Sequence, residues 1–172
     1  MFQRISERKA ATHFCWKCFG PPARRAQTVR MSIMTPIDQI IDDFAYLDDW
    51  EDRYRYVIEL GKALPDLPEE HRTAENKVRG CASQVWLVTH AGDGPDPALT
   101  FEGDSDAHIV KGLVAIVLSA YSGKTASEVA KLDALELFGK LGLIEHLSTQ
   151  RANGLRSMVD RIRGEAQARL GG

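Results

Sequence analysis

Residues 76–102 are the one stretch of this chain that reads as β-structure, and the sequence flanking it within residues 34–172 reads as helix. The stretch divides into three β-prone pieces, 76–79, 84–90 and 98–102. In the second, Val85, Leu87 and Thr89 alternate with Trp86 and Val88, so both faces are largely apolar, as in a central strand. In the third, Leu99 and Phe101 alternate with Thr100 and Glu102. The run Ala91-Gly92-Asp93-Gly94-Pro95-Asp96-Pro97 between them has the turn chemistry of a hairpin connection. A small three-stranded sheet set among helices is therefore expected.

The helices are read from stripes and caps. Thr35-Pro36 opens a helix in which Ile37, Ile40, Ile41 and Phe44 recur at helical spacing. Asp49 starts a second helix; Trp50, Tyr54, Val57 and Leu60 form its stripe, and Gly61 is expected to end it. Pro65 and Pro68 make residues 64–74 an irregular link. Ser105 is expected to cap the most apolar helix, with Ile109, Val110, Leu113, Val114, Val117 and Ala120 inward and Gly123 as its stop. Thr125-Ala126-Ser127-Glu128 has the form of a capping box. Asp133 starts another short helix ending at Gly142. After Ser148 a long helix runs to about Arg169, with Leu155, Met158, Val159, Ile162 and Ala166 inward.

Charge separates the chain into two parts. Residues 1–30 carry seven Lys or Arg against the single acid Glu7, whereas the remainder carries 15 against 23. The acidic body has no basic stripe, which argues against a nucleic-acid partner. Residues 1–33 lack periodicity and are expected to be a disordered basic N-terminal extension, either the product of a start upstream of Met31 and Met34 or a targeting segment. Its Cys15-Trp16-Lys17-Cys18 is half of a zinc or redox pattern with no second ligand pair, so no metal is expected there. Residues 34–172 are expected to form one domain. The longest apolar run, Leu113 to Ala120, is too short to cross a bilayer, so no membrane is expected. Three cysteines make no disulfide framework, which points to a reducing, cytoplasmic setting.

Cys81 lies between the first two β-prone pieces, in Arg79-Gly80-Cys81-Ala82-Ser83-Gln84-Val85-Trp86. A free cysteine is often a small buried hydrophobe, but this one has small neighbours with little to pack. Gly80 permits a positive φ and keeps bulk from the sulfur. The stretch reads as a thiol at the tip of a loop. Other chemistries find little support. No G-x-S-x-G elbow or phosphate-binding glycine loop is present, and His71, His90, His108 and His146 are not paired at i,i+4. Gly103-Asp104-Ser105-Asp106 lacks the calcium-loop pattern; aspartates at a helix start are explained by the helix dipole.

Across roughly residues 36–170 the chain resembles the SufE family of cysteine desulfuration proteins. The resemblance rests on Trp50-Glu51-Asp52-Arg53-Tyr54 with Ile58-Glu59-Leu60-Gly61, on Glu75-Asn76-Lys77-Val78-Arg79-Gly80-Cys81-Ala82-Ser83-Gln84-Val85-Trp86, on Phe101-Glu102-Gly103-Asp104-Ser105-Asp106-Ala107 running into Ile109-Val110-Lys111-Gly112-Leu113, and on His146-Leu147-Ser148-Thr149-Gln150-Arg151-Ala152-Asn153-Gly154-Leu155. The resemblance implies an α+β fold, a small antiparallel sheet packed by helices, shared with IscU-type scaffolds. It implies that Cys81 accepts a persulfide sulfur from a SufS-type, pyridoxal-phosphate-dependent cysteine desulfurase and passes it to a SufBCD-type complex. The protein itself then needs no cofactor; a homodimer is compatible with this role.

Sulfur relay needs only one thiol, since a thiolate attacks the outer sulfur of a persulfide and carries it off. Arg79 and Arg151 are candidate cations to favour the thiolate, or plain surface ion-pair residues. Asp106 is a candidate to position the cysteine loop, or a simple cap. Gln84 and Trp86 are expected to fix the loop. The alternative is a docking or regulatory module whose cysteine is inert. Small neighbours in front of Val78 and Val85 suggest that Cys81 is shielded at rest, its pKa raised by desolvation.

Overall fold

The computed structural model describes residues 34–171. Its elements are α1 (Ile37–Tyr46), α2 (Trp50–Ala63), β1 (Val85–Ala91), β2 (Leu99–Ser105), α3 (His108–Tyr121), α4 (Ala126–Lys131), α5 (Ala134–Lys140) and α6 (Thr149–Leu170), with single 3-10 turns at Glu69–His71 and Ile144–His146. This is an α+β arrangement.

Helix α3 is the core. From Ile109 to Tyr121 nearly every side chain is buried, as a helix apolar on all sides must be. Helix α2 crosses it at glycines. A Cβ on Gly61 would lie 2.6 Å from the Gly112 amide nitrogen, and one on Gly112 would run into the Val57 carbonyl. Gly61 therefore brings two backbones together rather than ending α2, which continues to Ala63. The caps follow the sequence in most places. Asp49, Thr125, Asp133 and Ser148 each accept a backbone N–H in the first turn, and Thr125 with Glu128 forms the full capping box.

The sheet has two strands, not three. β1 and β2 pair antiparallel from Val85 opposite Ser105 to Ala91 opposite Leu99. Residues 76–79 add only one bridge, Lys77 to Trp86, with Val78 N–H donating to the Val85 carbonyl and Leu87 N–H to that of Asn76, both at 2.8 Å. Turns on both sides of this bridge, one of them at Gly80 with φ +87°, stop the pairing before a ladder can extend. β2 runs on to Ser105, so this serine is not the cap of α3. The N-cap is Ala107, without a side-chain bond, while the Ser105 hydroxyl donates to the Gln84 carbonyl at 2.8 Å.

Candidate functional site

Cys81 sits on a loop between the Lys77–Trp86 bridge and β1, and the first turns of α6 close over it. Gly80 takes the positive φ expected of it, and a Cβ there would stand 2.7 Å from the Ser157 hydroxyl of α6. The Cys81 thiol is half-buried, with its Sγ 3.6 Å from the Gly154 carbonyl, to which the S–H can donate. A Cβ on Gly154 would come within 3.0 Å of the same sulfur. Only a glycine lets the helix backbone lie this close to the thiol. Helix α6 thus presents Gly154 to Cys81, Ser157 to Gly80, and Arg161 to the base of the loop, at positions that share one face.

Arg161 fastens that base. Its guanidinium donates to the Lys77 carbonyl at 3.1 Å and the Leu87 carbonyl at 3.4 Å, on either side of the cysteine loop, and to Glu165 at 2.9 Å. Beside the sulfur lies a cavity of about 20 Å³, lined by Ala82, Ser83, Val110, Leu113, Leu155 and Met158 among others. That is room for about one water-sized group. Burial in these apolar walls pushes the Cys81 pKa up.

The sequence-predicted residues fall in different places. Arg151 lines the thiol cavity and is exposed; Arg79 is also exposed but lines a separate groove on the other side of Gly80. Neither has an ion-pair partner among the described residues. Asp106 accepts the Gln84 N–H at 2.9 Å and its own N–H donates to the Gln84 carbonyl at 3.3 Å, so it holds the far end of the cysteine loop. Cys15 and Cys18 lie outside the described residues. Among the described residues no three His, Cys, Asp or Glu side chains gather as a metal site.

Sequence reasoning missed Asp104. It is 2% exposed and opposite Trp86 in the sheet register. Arg72 reaches it at 2.7 Å, Lys111 at 3.1 Å, the Leu67 N–H at 3.2 Å and the Ser105 N–H at 2.8 Å. Burial alone would raise its pKa; the bonds from Lys111, the two backbone amides and Arg72 together outweigh burial and hold it below the ordinary carboxylate range. Arg72 also lies over the Trp86 ring, 5.6 Å from its centroid. This cluster straps the 64–74 link to the thiol end of the hairpin. Nothing in the run Gly103-Asp104-Ser105-Asp106 distinguishes the buried aspartate from its neighbour; the register does.

Known proteins share this fold and sequence. The family model SufE, described as the Fe-S metabolism associated domain, matches residues 38–166. An uncharacterised SufE-like protein of Rhizobium meliloti (strain 1021) is 75% identical over 138 residues, covering 80% of this chain and 99% of that protein. Another from Rhizobium etli is 74% identical over 137 residues, 79% of this chain and 93% of the relative. The solution structure of a hypothetical protein from Thermus thermophilus superposes with a TM-score of 0.63 at 18% identity, covering 81% of this chain and all of that one, a likeness of fold.

Proposed function

The chain belongs to the SufE family, whose domain is associated with Fe-S metabolism, and on that basis we propose that Cys81 is the sulfur acceptor of an iron–sulfur assembly route. The observation that carries the proposal is the half-buried Cys81 thiol, held against the Gly154 backbone beside a cavity that fits one further small atom.

The step balances without an external oxidant. The Cys81 thiolate attacks the outer sulfur of a cysteine persulfide on a SufS-type desulfurase. The donor's S–S bond breaks, its electron pair leaves with the donor cysteine as thiolate, and a new S–S bond forms at Cys81. The proton from Cys81 ends on the departing thiol. Transfer onward to a SufBCD-type scaffold repeats the exchange. The pyridoxal phosphate that mobilises the sulfur belongs to the donor.

The protein's own residues set the conditions. Burial disfavours the thiolate while the loop is closed, so Cys81 rests protonated and protected; opening toward the donor lowers that barrier. Arg151 lines the cavity, and we assign it the role of favouring the thiolate once the loop opens. Asp106 keeps Gln84 and the loop's far end in register. Arg79 lines the groove on the other side of Gly80 rather than the sulfur cavity. No helix of the described residues is long and apolar enough to cross a membrane, and a cytoplasmic setting suits a free persulfide.

Incubation with a SufS-type desulfurase, sulfur-labelled cysteine and a mild reductant tests the proposal. Label bound to the wild type and absent from Cys81→Ser is expected. Equal stimulation of the desulfurase by both proteins would instead mark a regulatory module with an inert cysteine.

A further inference from the structure

The cysteine loop has a second concavity on its other side. Ala74, Glu75, Lys77, Val78, Arg79, Ser157 and Arg161 line an open groove of about 320 Å³, far larger than the thiol cavity. Lys77 and Arg79 line it, and neither is in an ion pair among the described residues. Arg161 is different, since its guanidinium is occupied by Glu165 and two carbonyls. Glu75 is the only acid among the lining residues. Two cations outside any ion pair among the described residues thus line, together with Glu75, an open groove on a body in which acids outnumber bases by 23 to 15 over residues 31–172.

We propose that this groove is a docking cleft for an acidic segment of the sulfur-donating protein. Charge complementarity names the occupant. The Arg79 guanidinium can take a carboxylate through two parallel N–H donors, and Lys77 adds a second point charge. The groove has room for the side chains of a short peptide segment. A nucleic acid fits poorly, because two free cations on a net acidic surface do not form the continuous basic track that a phosphate backbone needs.

Position gives the docking a purpose. The groove and the thiol cavity meet at Gly80, whose neighbour Arg79 lines one and whose neighbour Cys81 lines the other. A segment bound to Lys77 and Arg79 grips the arm from which the thiol hangs, while the cavity stays free for the arriving sulfur. It also brings the donor to the Gly80–Ser157 contact, where the loop leans on α6. The inference rests on the sulfur-acceptor reading for the identity of the donor, but its test does not depend on sulfur being transferred.

Dissociation constants for a SufS-type cysteine desulfurase, read by fluorescence anisotropy on the full chain, decide the matter. The double charge reversal Lys77→Glu with Arg79→Glu should weaken binding about tenfold at low salt, and the gap should close near 1 M salt as screening shortens to a few ångströms. Lys131→Glu with Lys140→Glu, on α4 and α5, carries the same charge change and should leave binding unchanged. The neutral pair Lys77→Gln with Arg79→Gln should fall between, which guards against a folding defect. Weakened binding in a protein whose Cys81 never takes label would support the cleft and overturn the sulfur-acceptor reading. Undiminished binding by the reversed pair, with label still reaching Cys81, would overturn the cleft alone; a wild type that does not bind the desulfurase would overturn the cleft and the sulfur-acceptor reading together.

Discussion

Strand β1 begins at one glycine-bearing loop and ends at another, and the two loops behave in opposite ways. At its start, Gly80 has φ +87° and the Ser157 hydroxyl where a Cβ would go; at its end, Gly94 has φ +109° and nothing within 4 Å of the same position. Both loops are turned by the same backbone freedom. Only the first is closed over by α6, and only there does a thiol find walls. A glycine-rich loop is local chemistry, whereas a shielded thiol requires a partner from elsewhere in the chain, here a helix whose Gly154 lies 73 residues beyond Cys81.

The aspartates that fasten the two ends give the largest expected contrast. Asp96 at the far loop is a surface cap, accepting the Ser127 N–H at 2.8 Å and its hydroxyl at 2.7 Å. Asp104 at the thiol end is buried between two cations. Asp104→Asn leaves Lys111 and Arg72 facing a neutral amide and should cost about 3 kcal/mol, the scale for breaking a buried pair. Asp96→Asn should cost clearly less in urea denaturation. The sign of the pH effect follows from the lowered Asp104 pKa. Its contribution is fully present above about pH 4, where an unfolded aspartate ionises, and is lost as pH falls through the folded value. The gap between wild type and Asp104→Asn should therefore narrow on acidification below pH 4.

The glycines come next. Gly94→Ala pays only for an unfavourable backbone conformation, about 1–2 kcal/mol. Gly80→Ala carries the same strain and also displaces Ser157, whose hydroxyl donates to the Asn153 carbonyl at 3.1 Å, so a further ~1 kcal/mol is expected. Adding Ser157→Ala should recover that increment at Gly80 and do nothing at Gly94. Equal costs at both glycines would break the comparison.

These contrasts also mark what could be read ahead of the structure. The positive φ at Gly80, the caps at Asp49, Thr125, Asp133 and Ser148, and the core stripe of α3 are consequences of near neighbours, and the sequence carries them plainly. The third strand failed because β-propensity at 76–79 says nothing about the turns that cut its pairing to one bridge. Ser105 looked like a cap because the pairing that draws it into β2 is made with Val85, twenty residues away. Gly61 looked like a stop because its real task, admitting Gly112 of α3, is a tertiary contact. Asp104 and Arg161 were invisible for the same reason. The place of Cys81 on a loop next to Gly80 was legible, while the helix that closes over it was not.

A smaller effect on stability comes with a larger one on the thiol. Gly154→Ala gains about 1 kcal/mol of helix propensity and loses about 1–3 kcal/mol to overpacking against Cys81, so the fold should lose at most about 2 kcal/mol. The added methyl should nonetheless push the loop outward and quicken alkylation of Cys81. Smallest of all should be a high-pH drift. Because burial raises the folded thiol pKa, stability should decline slightly as pH rises from about 8.5, where an unfolded cysteine ionises, and level off above the folded value. Cys81→Ser should abolish the drift between about pH 8.5 and 10, below the range in which the Tyr56 and Tyr121 phenols add their own.

The most direct measurement is stopped-flow alkylation of Cys81 in a Cys15→Ser/Cys18→Ser background, alone and with a SufS-type desulfurase. A thiol held closed by even 1.4 kcal/mol reacts about tenfold more slowly than an open one. Slow alkylation of the free protein, with a pH midpoint above that of an unfolded cysteine, and a marked acceleration when the desulfurase is added are the predicted results. Alkylation of the free protein as fast as that of an unfolded peptide, and indifferent to the desulfurase, would contradict the shielded thiol.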